Sequence, residues 1–353
     1  MTHAKRSRLY IQPPLGPEAW VAVNLSMLFP GIGQFYSGAI FKGFLFSATA
    51  ICLLIYIGWS LFAAEGNTLR GIIGLLIGVL LYGINLVDAC RSLSQKSSAK
   101  PAHSKNQRWY AIFLSQILPG LGHFYQQQAL IGGLLFGVGV LTAFGANFNP
   151  ALLPIPPFIW AIACYHIYRT VPDRKPRLGA IAVVILGLLT VRLTVSYIPV
   201  WVDRSLVQCI VPSESMVPTL LVNDRVFVNR QPGFRPQTGD IVVFEPPVEA
   251  IAKTDVEPET LLVKRVIGLP GQTVQVTQGQ VLINQTPLVE AYETRSPTYE
   301  WGPAIIPPES YFLLGDNRDF SADSHVWGAV PRSNLLGPAY KIYWPPARIQ
   351  PLD

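Results

Sequence analysis

The chain has 353 residues, half of them apolar, with a net charge of +6 and a mean hydropathy of +0.33, a balance too apolar for an ordinary soluble protein. The charge is unevenly divided: residues 1–204 carry sixteen Lys/Arg against five Asp/Glu, or +11, and residues 205–353 carry eleven against sixteen, or −5. The excess base falls in short loops between apolar segments, where it reports membrane topology, and the mildly acidic remainder argues against nucleic-acid binding.

From the N-terminus, "LSMLFPGIGQFYSGAIFKGFLF" at 25–46 recurs as "LSQILPGLGHFYQQQALIGGLL" at 114–135. The offset of 89 residues pairs Pro30 with Pro119, Gly31 with Gly120, Gly33 with Gly122 and Tyr36 with Tyr125. This is an internal duplication, with repeats over about 18–90 and 109–168. Each Pro-Gly-x-Gly is followed by two apolar runs, near 43–63 and 71–90 and again near 130–147 and 151–168, and a fifth run covers 178–200. Tyr36, Tyr125 and His123 of the repeats read as packing or interfacial anchors, with no chemistry assigned.

Basic residues orient these runs. Lys5, Arg6 and Arg8 precede the first; the loop 91–108 has five Lys/Arg and no acid; the loop 169–177 has Arg169, Arg174, Lys175 and Arg177 against Asp173. All three are expected to be cytoplasmic, so each repeat contributes two spans, and the Pro-Gly-x-Gly segments are interfacial or re-entrant. The final run of 23 residues, at about 1.5 Å each, crosses a hydrocarbon core of about 30 Å and carries the chain outward. The expected organisation is a duplicated α-helical membrane domain at 1–177, a last transmembrane helix at 178–200, about five spans in all, and a mainly antiparallel β extracytoplasmic domain at 205–353. No cleavable leader is expected, because the first apolar run opens on Pro-Gly breaks and no small-residue cleavage pattern follows.

Beyond 221 the pattern becomes short β-type runs: "RVFVNR" at 225–230, "DIVVFE" at 240–245, "LLVKRVIG" at 261–268, "TVQVTQGQVLIN" at 273–284, "YFLLG" at 311–315 and "YKIYW" at 340–344. Cys52, Cys90 and Cys164 lie in apolar segments and Cys209 stands alone in the polar half, so no disulfide framework or zinc set can be drawn. The β half has one histidine, His325, which excludes a multi-His metal centre and leaves a serine nucleophile two candidate bases, that ring or a lysine. Strand alternation puts Lys264 on the face of Leu262 and Val266, with Arg265 pointing the other way. Desolvation on an apolar face lowers an amine's pKa toward neutrality and makes it a usable base. The plainer alternative is a lysine that snorkels to solvent or pairs with an acid. "GDNRDFSADS" is rich in turn formers and reads otherwise as a surface loop, or as a loose calcium loop lacking its terminal glutamate.

Four stretches, "PSESMVPTL", "TGDIVVFEPP", "VKRVIGLPGQ" and "GDNRDFSADSHVWG", resemble in order and approximate spacing the boxes of the bacterial type I signal peptidases, the Ser/Lys leader peptidases. The resemblance covers about 140 residues and leaves out the duplicated half. It implies that Ser215 is the nucleophile and Lys264 its general base. It further implies that Ser213 joins the Ser215 backbone N–H in an oxyanion hole, that Ser321 hydrogen-bonds the lysine amine, and that Asp323 braces the loop. The bracing partner is commonly arginine in the family and is His325 here; Glu214, where many members have glycine, is a second departure.

The implied activity is membrane-bound serine endopeptidase, cleaving signal peptides from translocated preproteins through an acyl-enzyme, with no metal or organic cofactor. The implied partners are preproteins with small residues at −1 and −3, the lipid bilayer and the translocation machinery. The substrate would bind as an extended strand along 211–214 and 261–266. The implied location is the bacterial cytoplasmic (inner) membrane, or a thylakoid membrane where one exists. Two rivals stand beside this reading: an inactive membrane scaffold or transporter with a binding module, and a Ser/Lys protease dedicated to maturing one substrate.

Overall fold

The computed structural model describes residues 17–94, 108–171, 176–230, 233–254, 256–290, 292 and 296–352. Lys5, Arg6, Arg8, most of the basic loop 91–108, and Asp173, Arg174 and Lys175 lie outside the described residues. The chain forms two compact units. One contains the residues up to Ile55 with Gly74–Pro199, and the other contains Tyr56–Ile73 with the residues from Val200 onward.

The first unit is helical. Helices α1 (Pro17–Ser26), α2 (Ile32–Tyr36), α3 (Ile40–Phe62) and α4 (Thr68–Ser94) are followed by the same order in α5 (Arg108–Ile117), α6 (Leu121–Tyr125), α7 (Ala129–Gly145) and α8 (Ile155–Thr170), then by α9 (Leu178–Ser205). The Pro-Gly-x-Gly segments become paired short helices. Gly31 and Gly120 take left-handed φ of 98° and 88° between the members of each pair, and a Cβ there would meet Gly43 O at 2.3 Å and Gly132 O at 2.1 Å. Only glycine permits both the conformation and the approach. At ten and five residues, neither helix of a pair is long enough to cross a bilayer. Trp20, Val21, Trp109, Ile112, Ile167 and Val184 form the core around these pairs.

Four described helices are long and apolar enough to cross a membrane: α3, α4, the α8 segment and α9. The fifth expected run, α7, has 17 residues and extends about 26 Å, short of a full hydrocarbon core. Several buried polar side chains here find protein partners, as a bilayer requires of most of them. Asn24 Nδ2 donates to Trp20 O and Trp109 O at 2.6 and 2.9 Å, and Gly31 N donates to Asn85 Oδ1 at 3.0 Å.

The second unit is built on antiparallel sheets. Its elements are β1 (Leu206–Ile210), β2 (Arg225–Asn229), β3 (Ile241–Phe244), α10 (Val248–Lys253), β4 (Leu262–Gly268), β5 (Thr273–Thr277), β6 (Gln280–Ile283), β7 (Thr286–Pro287), β8 (Trp301–Ile305), β9 (Ser310–Leu314), α11 (Ser324–Trp327), β10 (Val330–Pro331), β11 (Leu335–Trp344) and β12 (Gln350–Pro351). The main sheet runs β1-β2-β11-β3-β4-β9-β10 with β12 beside β11, and a smaller sheet runs β7-β6-β5-β8. Each expected run becomes a strand, except 273–284, which becomes the antiparallel pair β5 and β6.

Two features differ from the sequence pattern. Residues 206–210 continue directly from α9 as β1, paired with β2 from Leu206↔Asn229 to Ile210↔Arg225. The run expected at 340–344 extends back to Leu335, because register shifts between Leu335 and Gly337 and between Ala339 and Lys341 let a central strand carry Gly337 and Pro338. The α3 end of this unit is held by Lys341, which is fully buried and whose Nζ donates to Ser60 O, Leu61 O and Ala63 O at 3.1, 3.1 and 3.0 Å. A cation thus satisfies the orphan carbonyls at the helix C-terminus.

Candidate active site

Ser215 sits in a single 3₁₀ turn, Glu214–Met216, between the exposed Pro212-Ser213 and the buried anchors Met216 and Leu220. Burying Met216 and Leu220 in the core beneath β1 and β2 fixes the turn from below. The segment 315–317 fixes it from the side: Asn317 N donates to Ser215 O at 3.1 Å, and Asn317 Nδ2 donates to Glu214 O at 3.1 Å. Gly315 allows that approach, because a Cβ there would lie 2.4 Å from Ser215 O and 2.2 Å from Ser321 Oγ. The Glu214 side chain is exposed.

Lys264 enters from β4, whose residues from Val263 to Gly268 are all buried. Its register partner on β3 is Val242, and Leu262 and Val266 of its own face pack in a cluster with Phe244, Leu313 and Trp327. The amine, on a residue only 4% exposed, lies 2.5 Å from Ser215 Oγ. Burial pushes the Lys264 pKa down from 10.5 to about 8, against the opposing pull of Asp323 and Asp316.

The other candidates behave differently from one another. Ser213 Oγ donates to Ser215 Oγ at 3.2 Å. Ser321 lies beside the turn, but its buried hydroxyl has no hydrogen-bond partner among the described residues, so the bond to the lysine amine that the resemblance implies is not made. Asp323 is fully buried and accepts from Gly315 N at 2.9 Å, His325 N at 3.2 Å and His325 Nδ1 at 2.8 Å. The His325 ring stacks on Tyr299 with centroids 4.2 Å apart. Histidine therefore occupies the bracing place and bonds Asp323, whereas Ser215 Oγ bonds Lys264.

Arg265, one residue beyond the lysine, escaped the sequence reading as a functional position. It does not face solvent: Nε and Nη2 donate to Asp316 Oδ1 and Oδ2 at 2.8 and 2.7 Å, both residues are almost wholly buried, and the guanidinium lies 3.7 Å from the Tyr292 ring centroid. Thr219 Oγ1 also donates to Asp316 Oδ2, at 2.6 Å. This network ties β4, the turn after Ser215 and the 315–317 segment together. The adjacent Lys-Arg pair and the first acid of "GDNRDFSADS" were its signal, but nothing in a linear pattern says that the two charges meet. Among the described residues no group of His, Cys, Asp and Glu could hold a metal.

The family described as "Signal peptidase, peptidase S26" matches residues 181–344. A signal peptidase I of Leptolyngbya laminosa is 51% identical over 141 residues, which cover 39% of this chain and 69% of that protein. The chain belongs to the signal peptidase I family. A probable signal peptidase I-2 of Synechocystis is 45% identical over 142 residues, covering 39% of the chain and 63% of that protein. A probable thylakoidal processing peptidase 2 of Arabidopsis thaliana is 37% identical over the same length, covering 39% of the chain and 38% of its own. The peptidase is therefore a membrane-bound serine endopeptidase that cleaves signal peptides, and the scaffold and transporter rivals are not favoured. Most of the helical half lies outside the matched region.

Proposed function

We propose that signal-peptide cleavage here runs on a Ser215–Lys264 dyad, and the observation that carries it is the 2.5 Å contact between the nearly buried hydroxyl of the 214–216 turn and a buried amine. In its neutral form the Lys264 lone pair accepts the Ser215 proton as Oγ attacks the scissile carbonyl. The tetrahedral oxyanion takes hydrogen bonds from the Ser215 backbone N–H and from the Ser213 hydroxyl, which turns from Oγ toward the new charge. One such donor is worth about 3 kcal/mol. The lysine then returns its proton to the leaving amine, and water hydrolyses the acyl-enzyme with the same base. Ser321, with its free hydroxyl, orients the amine once Ser215 has been acylated and releases it. Asp323 with His325, and Asp316 with Arg265, act as positioning pairs.

The substrate is an extended peptide with small residues at −1 and −3. Along Leu262–Lys264, β4 pairs with β3 on one side only, since β9 joins it from Arg265 onward, which leaves a strand edge open beside the nucleophile among the described residues. Residues 1–177 form the membrane domain, 178–200 the last span and 205–353 the catalytic domain, outside the cytoplasm of a cytoplasmic or thylakoid membrane; the translocation machinery is the expected neighbour. A turn close beyond the last span meets substrates that are still embedded in the bilayer. Ser215→Ala tests the reading: purified variant and wild type are incubated with a synthetic precursor bearing an Ala-x-Ala site. The folded variant is expected to lose cleavage by several orders of magnitude, and retained cleavage refutes the dyad.

A further inference from the structure

Arg192 is the fifteenth of the 28 residues of α9, so its Cα lies about 21 Å along the helix from Leu178 and deep within an apolar segment. A guanidinium there demands an explanation, because an ionised group in a membrane segment is costly unless something compensates its charge. Part of the compensation is visible. Nη2 donates to Gln116 O at 2.6 Å, at the C-terminal end of α5, and the guanidinium stacks 4.4 Å from the Trp160 ring centroid. Among the described residues no carboxylate pairs with it.

Two further donors in the same place are unused. Arg192 Nε and Trp160 Nε1 are both buried and both lack an acceptor among the described residues. They belong to the two residues that form the stacked pair, and both residues line one cavity of about 530 Å³. Leu28, Leu188, Val191 and Val195 give that cavity apolar walls. Capping the α5 carbonyl needs a single N–H and no net charge. A positive charge, two N–H groups with no acceptor among the described residues and a partly open cavity with mainly apolar walls together specify a ligand with an acidic oxyanion and a hydrocarbon body.

We propose that this cavity binds an anionic membrane lipid, whose headgroup oxygens accept from Arg192 and Trp160 and whose acyl chain follows the apolar wall of α9. Arginine suits the role because its planar fork meets a phosphate through more than one oxygen. A free inorganic anion offers the same oxygens but no apolar body.

The test uses the full chain, purified in neutral detergent and titrated with phosphatidylglycerol, phosphatidylcholine or inorganic phosphate, with retention read by native mass spectrometry and stability by thermal unfolding. Phosphatidylglycerol is expected to be retained and to raise the unfolding midpoint, while the other two do neither. Arg192→Gln is expected to weaken phosphatidylglycerol retention by about tenfold or more, and Trp160→Phe, which keeps the ring and removes the N–H, by about threefold to tenfold. Equal retention of the two lipids by wild type overturns the proposal, as does wild-type retention by Arg192→Gln. Equal stabilisation by inorganic phosphate reduces the site to a simple anion site and overturns the lipid reading. If Arg192→Gln fails to fold, Trp160→Phe decides, and unchanged retention by that variant is refuting.

Discussion

Replacing Lys264 by arginine separates charge from basicity in a way the geometry makes quantitative. Burial brings the amine to a pKa of about 8. At pH 7 about one enzyme in ten then holds a neutral lysine, against about one in three thousand for a lysine at 10.5, so desolvation supplies about 300-fold more of the active form. Below pH 8, kcat/KM should fall about tenfold per pH unit; above it the rate should level off. The same burial acts on stability with a definite sign. The folded state binds its proton less tightly than the unfolded one, so the penalty of about 3 kcal/mol is fully present below pH 8 and is relieved as pH rises from about 8 to 10.5. Lys264→Arg keeps the charge but cannot release a proton in this range, and should be inactive at every pH. The assay is kcat/KM on a synthetic precursor from pH 6 to 10, for both enzymes, with folding checked by circular dichroism. A flat profile between pH 6 and 8, or near-normal cleavage by the arginine variant, refutes lysine as the base.

Other outcomes follow from neighbouring contacts. Asp316→Asn leaves the buried Arg265 guanidinium without its counter-charge and should lower unfolding stability by about 3–5 kcal/mol, measured by denaturant titration; a loss below about 1 kcal/mol would show that the pair is not holding the site together. Gly315→Ala puts a methyl group against Ser215 O and Ser321 Oγ, and should reduce kcat by more than about tenfold while the rest of the fold survives; unchanged kcat would mean that the turn has more room than the contacts allow. Cysteines introduced into 91–108 and 169–177 should resist a membrane-impermeant thiol reagent in intact cells, and labelling of either loop from outside would overturn the proposed orientation.

The sequence by itself determined the broad plan. Hydropathy and length are local properties, so the apolar runs could be read as helices and the alternating runs as strands. The 89-residue repeat announced two like-folded segments, because Gly31 and Gly120 must answer the same steric demand. Alternation along β4 assigned Lys264 to the face of Leu262 and Val266, and the order of four short boxes singled out Ser215. Other matters depend on groups far apart in the chain. That Ser215 and Lys264, 49 residues apart, lie within 2.5 Å follows from packing the turn above β4, which no local period encodes. The same holds for Arg265, which alternation placed opposite Lys264 but which finds Asp316 instead of water because both faces of this central strand are covered. Ser321 shows the converse: the family resemblance assigned its hydroxyl to the lysine, and in the structure that buried hydroxyl has no partner among the described residues. Composition counted Arg192 as one more basic residue, and only the closure of α5, α8 and α9 around it reveals a half-buried charge beside donors unused among the described residues, since burial and hydrogen-bond satisfaction are set by tertiary neighbours.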